Sequence, residues 1–125
     1  MDPDMSFQGA RILVVEDDMM IAMLVEDMLL DFGCHVVGPA SNLTKALALA
    51  REAGPFSAAI LDVNLGLESV FPAADLLRAQ GVPLIFCTGY GDGALREADK
   101  ACTVLRKPYR ASELGAALSV ALTPA

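Results

Sequence analysis

Residues 11–18 read RILVVEDD, a β-branched apolar run closed by three consecutive carboxylates. An apolar run of this length without polar alternation is expected of a strand covered on both faces. The construction recurs along the chain. Residues 57–62 (SAAILD) end at Asp62, residues 83–88 (PLIFCT) end at Thr88, and residues 103–107 (TVLRK) end at Lys107, with Pro108 next. Between these runs the period changes to that of a helix. Ile21, Leu24, Val25, Met28 and Leu29 fall at i, i+3, i+4, i+7 and i+8, one apolar stripe, and Gly33 supplies a stop. Residues 35–38 make a short second strand. Ser41 or Asn42 can cap a helix carrying Leu43, Ala46, Leu47 and Ala50, which ends near Gly54 and Pro55. Pro72 suits the first turn of a third helix reaching Gly81. Gly89, Gly91 and Gly93 make any helix over 89–101 short and poorly anchored. Leu114, Leu118, Ala121 and Leu122 line a final helix.

The order is βαβαβαβαβα, which demands parallel strands with helices on both faces. The expected architecture is α/β: a flavodoxin-like (βα)5 fold, with a doubly wound five-stranded parallel sheet in a single domain. Residues 1–9 read as a loose leader and residues 10–125 as the domain.

Composition narrows the function. The 125 residues are 54% apolar, too many for a mostly disordered chain. The formal net charge is −7, unsuited to nucleic acid or to an anionic membrane surface. Cys34, Cys87 and Cys102 are an odd number without metal spacing, and read as small buried hydrophobes in a reducing compartment. The N-terminus is acidic rather than signal-like, and no apolar run is long enough to span a membrane. A cytoplasmic protein is expected.

In sheets of this kind ligands bind outside the carboxyl ends of the strands. Glu16, Asp17 and Asp18 stand there after the first strand, Asp62 after the third, Thr88 after the fourth and Lys107 after the fifth. Glu16, Asp17 and Asp62 together would carry more negative charge than can stay ionised without a counter-charge. A divalent cation and one lysine would cancel it. Oxygen-only ligands select a hard ion, Mg²⁺ being the best fit. Such a site suits a phosphoryl group, with Asp62 as nucleophile forming an aspartyl phosphate. Taken alone, Asp62 could equally cap its loop; the other residues at matching strand ends favour the chemical role.

These residues carry a family resemblance. The stretches ILVVEDD (12–18), ILDVNLG (60–66), FCTGYG (86–91) and LRKPY (105–109) resemble, in order, the four signature strands of a response-regulator receiver domain. The resemblance implies that Asp62 accepts a phosphoryl group from a histidine kinase or phosphotransfer protein. It implies that Asp17 binds Mg²⁺ directly, Glu16 largely through water, and the Asn64 carbonyl as a further ligand. Thr88 would be the switch hydroxyl, Lys107 the partner of the phosphoryl oxygen, and the bond before Pro108 cis. FCTGYG further resembles the Phe-Ala-Thr-Gly-Tyr signature of the "FAT GUY" single-domain receivers, with Cys87 in place of Ala. That group is typical of alphaproteobacteria and linked to HWE-type kinases and stress signalling. Val104 stands where many receivers carry a rotating aromatic, so Tyr90 is the substitute switch residue, or else a packing residue. If the helix over 89–101 is marginal, phosphorylation would order it.

Met19 and Met23 lie off the apolar stripe and should face outward, either as a kinase-docking patch or as scattered surface apolarity. His35 reads as structural or solvated, Asp18 as a helix cap with a minor metal role possible, and Arg106 as pointing away from the site. The expected protein is a phospho-accepting switch rather than a metabolic enzyme, a monomer or weak dimer that signals by protein contact. A phosphate sink and a phosphorylation-independent pseudo-receiver are the alternatives. A small-molecule phosphatase would want a second carboxylate where Asn64 stands, and a flavin module would want hydroxyls where Glu16, Asp17 and Asp18 stand.

Overall fold

The computed structural model describes residues 7–89 and 95–122. Their elements are β1 (Arg11–Val15), α1 (Met19–Asp31), β2 (His35–Ala40), α2 (Leu43–Glu52), β3 (Ala58–Asp62), β4 (Asn64–Leu65), β5 (Glu68–Ser69), α3 (Phe71–Ala79), β6 (Leu84–Thr88), β7 (Thr103–Arg106) and α4 (Ala111–Leu122). The main sheet is parallel, in the order β2-β1-β3-β6-β7. This is the expected doubly wound sheet, and it places the strand-order reversal between β1 and β3.

Strand alternation divides the core in two. Ile12, Val14, Ile60, Ile85 and Leu105 pack under α1 and α4, against Val25, Leu29, Leu114 and Leu118. Leu13, Val15, Leu61 and Phe86 face α2 and α3, against Ala46, Ala50, Ala73 and Leu77. The residues of β3 and β6 are buried throughout, which is why their sequences lack alternation.

Local signals set most boundaries. Asp18 caps α1 and Asn42 caps α2, and Gly33, at φ +82°, follows the end of α1. The strand begun at His35 continues past Gly38 to Ala40. Gly38, at φ +100°, sits where the β1–β2 register shifts, and a Cβ there would lie 2.8 Å from the Val14 carbonyl oxygen. Pro39 is tolerated because β2 is an edge strand.

Three expectations need correction, and one loop gains a hairpin that the sequence did not signal. The buried face of α1 is Ala22, Val25 and Leu29, while Leu24 is 57% exposed. The stripe rotates because the small Ala22 allows close approach to the sheet. The loop containing Gly66 is the turn of a hairpin between β4 and β5, too short to leave a periodic signal. The fourth crossover carries, among the described residues, only a 3-10 turn at Glu97–Asp99, and ion pairs anchor it firmly. The leader is not loose throughout: Phe7 packs edge-on against Phe32, 5.5 Å between centroids, and the Gly9 amide donates to the Gly33 carbonyl. Residues 1–6 lie outside the described residues.

Leu29 is fully buried between α1 and the sheet. Leu29→Ala is expected to destabilise the fold by about 2–5 kcal/mol. Met23→Ala on the exposed side should cost under ~0.5 kcal/mol. Urea unfolding of both variants checks the packing, and equal midpoints would refute it.

Candidate functional site

The reversal between β1 and β3 opens a crevice at their carboxyl ends. Glu16 and Asp17 follow β1, and Asp62 ends β3 beside it. One carboxylate oxygen from each of Glu16, Asp17 and Asp62 lies within 4.8 Å of the other two. Glu16 and Asp62 are buried, and Asp17 is exposed at the mouth. The Lys107 Nζ lies 2.8 Å from Glu16 Oε1 and donates at 2.8 Å to Asp62 Oδ2. The Lys107 amide donates to the Thr88 carbonyl at 2.9 Å, which ties the lysine to the end of β6, and the Lys107–Pro108 bond is cis. Thr88 is buried at the same edge of the sheet. The Asn64 amide donates to Asp62 Oδ1 at 3.3 Å.

The site therefore brings together Glu16, Asp17, Asp62, Asn64, Thr88 and Lys107. Tyr90 lies outside the described residues. Asp18 stays out of the carboxylate cluster: its Oδ1 accepts from the Met20 and Ile21 amides as the cap of α1, and its own amide donates to Glu16 Oε2. Arg106 and His35 are exposed. A contact the sequence does not announce supports the site from below. The Tyr109 side chain packs against the apolar cluster that contains Cys87, joining the segment after Lys107 to β6. Burial pushes the Cys87 thiol up to about 12, so it is an inert packing group.

Electrostatics explain what the cluster can do. Two like charges about 4.8 Å apart repel by roughly 3.5 kcal/mol at an effective dielectric of about 20. One ammonium cannot neutralise three carboxylates. Burial pushes Glu16 up, its hydrogen bond with Asp62 adds to this, and Lys107 opposes it; the result is about 7. Burial works against the charge on Lys107, but its bonds to Asp62 and Glu16 outweigh that and raise its pKa. The donor set is oxygen-only and short of positive charge, which fits a hard divalent cation held by Glu16, Asp17 and Asp62.

In the metal-free chain Glu16 thus keeps a proton up to about pH 7, and a cation must expel it. Affinity for a divalent cation is expected to fall about tenfold per pH unit below that point. Because the folded pKa lies above the unfolded 4.5, the metal-free fold loses stability as pH rises through that window towards 7. Glu16→Gln should raise the metal-free Tm at neutral pH and weaken divalent-cation binding. Calorimetric titration across the window tests this; a pH-independent affinity contradicts it.

Comparison with known proteins agrees with this geometry. The family model described as "Response regulator receiver domain" matches residues 12–119. The phyllosphere-induced regulator PhyR of Methylorubrum extorquens is 32% identical, over 91% of this chain and 44% of its own length. The transcriptional regulatory protein PdtaR of Mycobacterium tuberculosis is 28% identical, over 90% of this chain and 57% of its own. The chain thus spans about half the length of these curated relatives. SdrG from Sphingomonas melonis Fr1 superposes with a TM-score of 0.81 at 38% identity, covering 92% of this chain and 98% of that one. The receiver domain of the sensor histidine kinase PA1611 of Pseudomonas aeruginosa, solved with a magnesium ion in its active-site cleft, superposes at 0.75 with 26% identity, covering 91% and 98%. The chain belongs to the response-regulator receiver domains of two-component systems.

Proposed function

We propose that this chain is a phospho-accepting switch: Asp62 takes a phosphoryl group from the phosphohistidine of a histidine kinase or phosphotransfer protein. The observation that carries this is Asp62 itself, a buried carboxylate at the strand-order reversal, 2.8 Å from an ammonium group and within 4.8 Å of two further carboxylates. An oxygen of Asp62 attacks phosphorus, and a P–O bond forms as the P–N bond breaks. The bonding pair returns to the imidazole, which takes a proton from water. The product is a mixed anhydride on Asp62. Lys107 is placed to move from the Asp62 carboxylate to a phosphoryl oxygen, and the Thr88 hydroxyl to donate to another. Mg²⁺, held by Glu16, Asp17, Asp62 and the Asn64 carbonyl, would offset the charge of carboxylates and phosphoryl oxygens alike.

The donor would dock on α1. Met19, Met20, Met23 and Leu24 are exposed there. Of these, Leu24 also lines an apolar groove of about 230 Å³, together with Ile21, Val25, Met28, Lys107, Pro108 and Tyr109. Flexible methionines suit a helical partner. The narrower reading, a FAT GUY receiver served by an HWE-type kinase in stress signalling, is supported by the FCTGYG string. Signalling then proceeds by protein contact, and the chemistry makes the chain a switch rather than a metabolic enzyme.

Incubation with acetyl phosphate and Mg²⁺ should add about 80 Da, one phosphoryl group, to the intact mass. Asp62→Asn or omission of the metal should abolish the gain; a gain retained in Asp62→Asn would overturn the assignment. Met19→Glu with Met23→Glu should slow transfer from a kinase by about tenfold or more, while acetyl phosphate, which needs no docking surface, still reacts. Unchanged transfer from the kinase would show that the patch is ordinary surface.

A further inference from the structure

Four polar side chains are buried among the described residues: Glu16, Asp62, Thr88 and Asp99. Three belong to the site above. Asp99 does not, and at 0% exposure it is the most buried of them. It sits in the 3-10 turn of the β6–β7 connection, where Arg96 Nε donates to Asp99 Oδ2 at 2.8 Å and Arg78 from α3 pairs with Asp99 Oδ1. Arg96 also grips Asp75 on α3 with both terminal nitrogens, at 3.1 and 2.7 Å. Arg78 Nη1 lies 3.5 Å from the same Asp75 and closes a ring of two arginines and two aspartates.

The ring balances its own charge and needs no ligand. It joins two residues of α3 to two of the connection. Burying a carboxylate is costly unless it is paired and hydrogen-bonded. Asp99 can therefore stay inside only while both arginines hold it, so the contact is close to all-or-none. A three-residue turn has no cooperative helix of its own to keep residues 95–102 in place. Arg96 does more than pair. Its guanidinium lies 4.3 Å from the centroid of the Phe71 ring, and Phe71 packs edge-on against Phe86, 6.4 Å between centroids. Phe86 is on β6, two residues before Thr88. Val104, half-buried against the same cluster, is too small to carry an aromatic rotation.

We propose that the Asp75–Arg78–Arg96–Asp99 ring is a clasp that holds residues 95–102 on α3 and is coupled, through Arg96, Phe71 and Phe86, to the end of β6 at Thr88. The proposal rests on the phosphoacceptor reading and names the element through which that site reaches the surface. Movement of the end of β6 must repack Phe86 on Phe71, and Phe71 is keyed to Arg96. An open clasp therefore favours phosphoryl acceptance, and acceptance favours an open clasp, the reverse of the ordering expected of a marginal helix over 89–101, because the ion-pair ring already holds this turn in place.

The test uses Arg96→Gln and Arg96→Lys, with Asp75→Asn as a milder variant on the exposed rim should the first not fold. Amide hydrogen exchange is followed by mass spectrometry in the metal-free chain, beside the rate of mass gain under acetyl phosphate and Mg²⁺. In Arg96→Gln, exchange over residues 95–102 should rise about tenfold, with β1 and β3 unchanged, and the mass gain should be several-fold faster. Arg96→Lys should behave likewise, because an ammonium cannot make the planar fork. Exchange over 95–102 that stays at the wild-type level overturns the clasp. Faster exchange with an unchanged rate of mass gain overturns the coupling. A wild-type chain that gains no mass defeats the phosphoacceptor reading and the coupling with it, and the exchange data then judge the clasp alone.

Discussion

One ammonium group links the carboxylates on which the site depends. Lys107 lies 2.8 Å from both Glu16 and Asp62, so it ties the segment after β7 to those after β1 and at the end of β3. In the sheet, β6 lies between β7 and β3. The lysine must therefore work across two strand spacings, about 9.6 Å, to meet Asp62, and across three to meet Glu16. A long side chain is needed for that span, and its backbone must be fixed for the reach to be useful. The bond from the Lys107 amide to the Thr88 carbonyl fixes it. Lysine, threonine and aspartate are thereby mechanically joined before any ligand arrives.

The arrangement costs stability locally. Three carboxylates and one lysine leave two negative charges when all are ionised, and burial of Glu16 aggravates this. The two apolar faces of the sheet offset it. Leu13, Val15, Leu61 and Phe86 below one pair of helices, and Ile12, Val14, Ile60 and Ile85 below the other, are buried almost completely. A rigid sheet holds the repelling groups together, and a cation or a phosphoryl group is what relieves them. Readiness for chemistry and local frustration have the same origin.

The second cluster of charge is built in the opposite way. Around Asp99, two arginines meet two aspartates with nothing left over. Burial works against the charge of Asp99, but the bonds from Arg96 and Arg78 outweigh it and hold its pKa below the usual carboxylate range. The site is unsatisfied and awaits a partner. The ring is satisfied and fastens a part of the chain that has too little helix to fasten itself. Phe71 and Phe86 lie between the two.

The sequence by itself determined the sheet, because a strand buried on both faces must be apolar throughout and its ends must be polar. It also determined the main site residues, since each begins where an apolar run stops; Asp62, Thr88 and Lys107 are legible for that reason alone. Asp18 was equally conspicuous and read as a helix cap, and the structure agrees: its carboxylate accepts from the Met20 and Ile21 amides at the start of α1. The β4–β5 hairpin has too few residues to show a period, and the burial of Ala22 rather than Leu24 depends on how closely α1 approaches the sheet. The Asp99 ring left no trace in the sequence. Its members are separated by up to 24 positions and lie among other charged residues. Pairing across such a distance is decided by tertiary packing, because only the folded chain sets which charges face one another and which are removed from water.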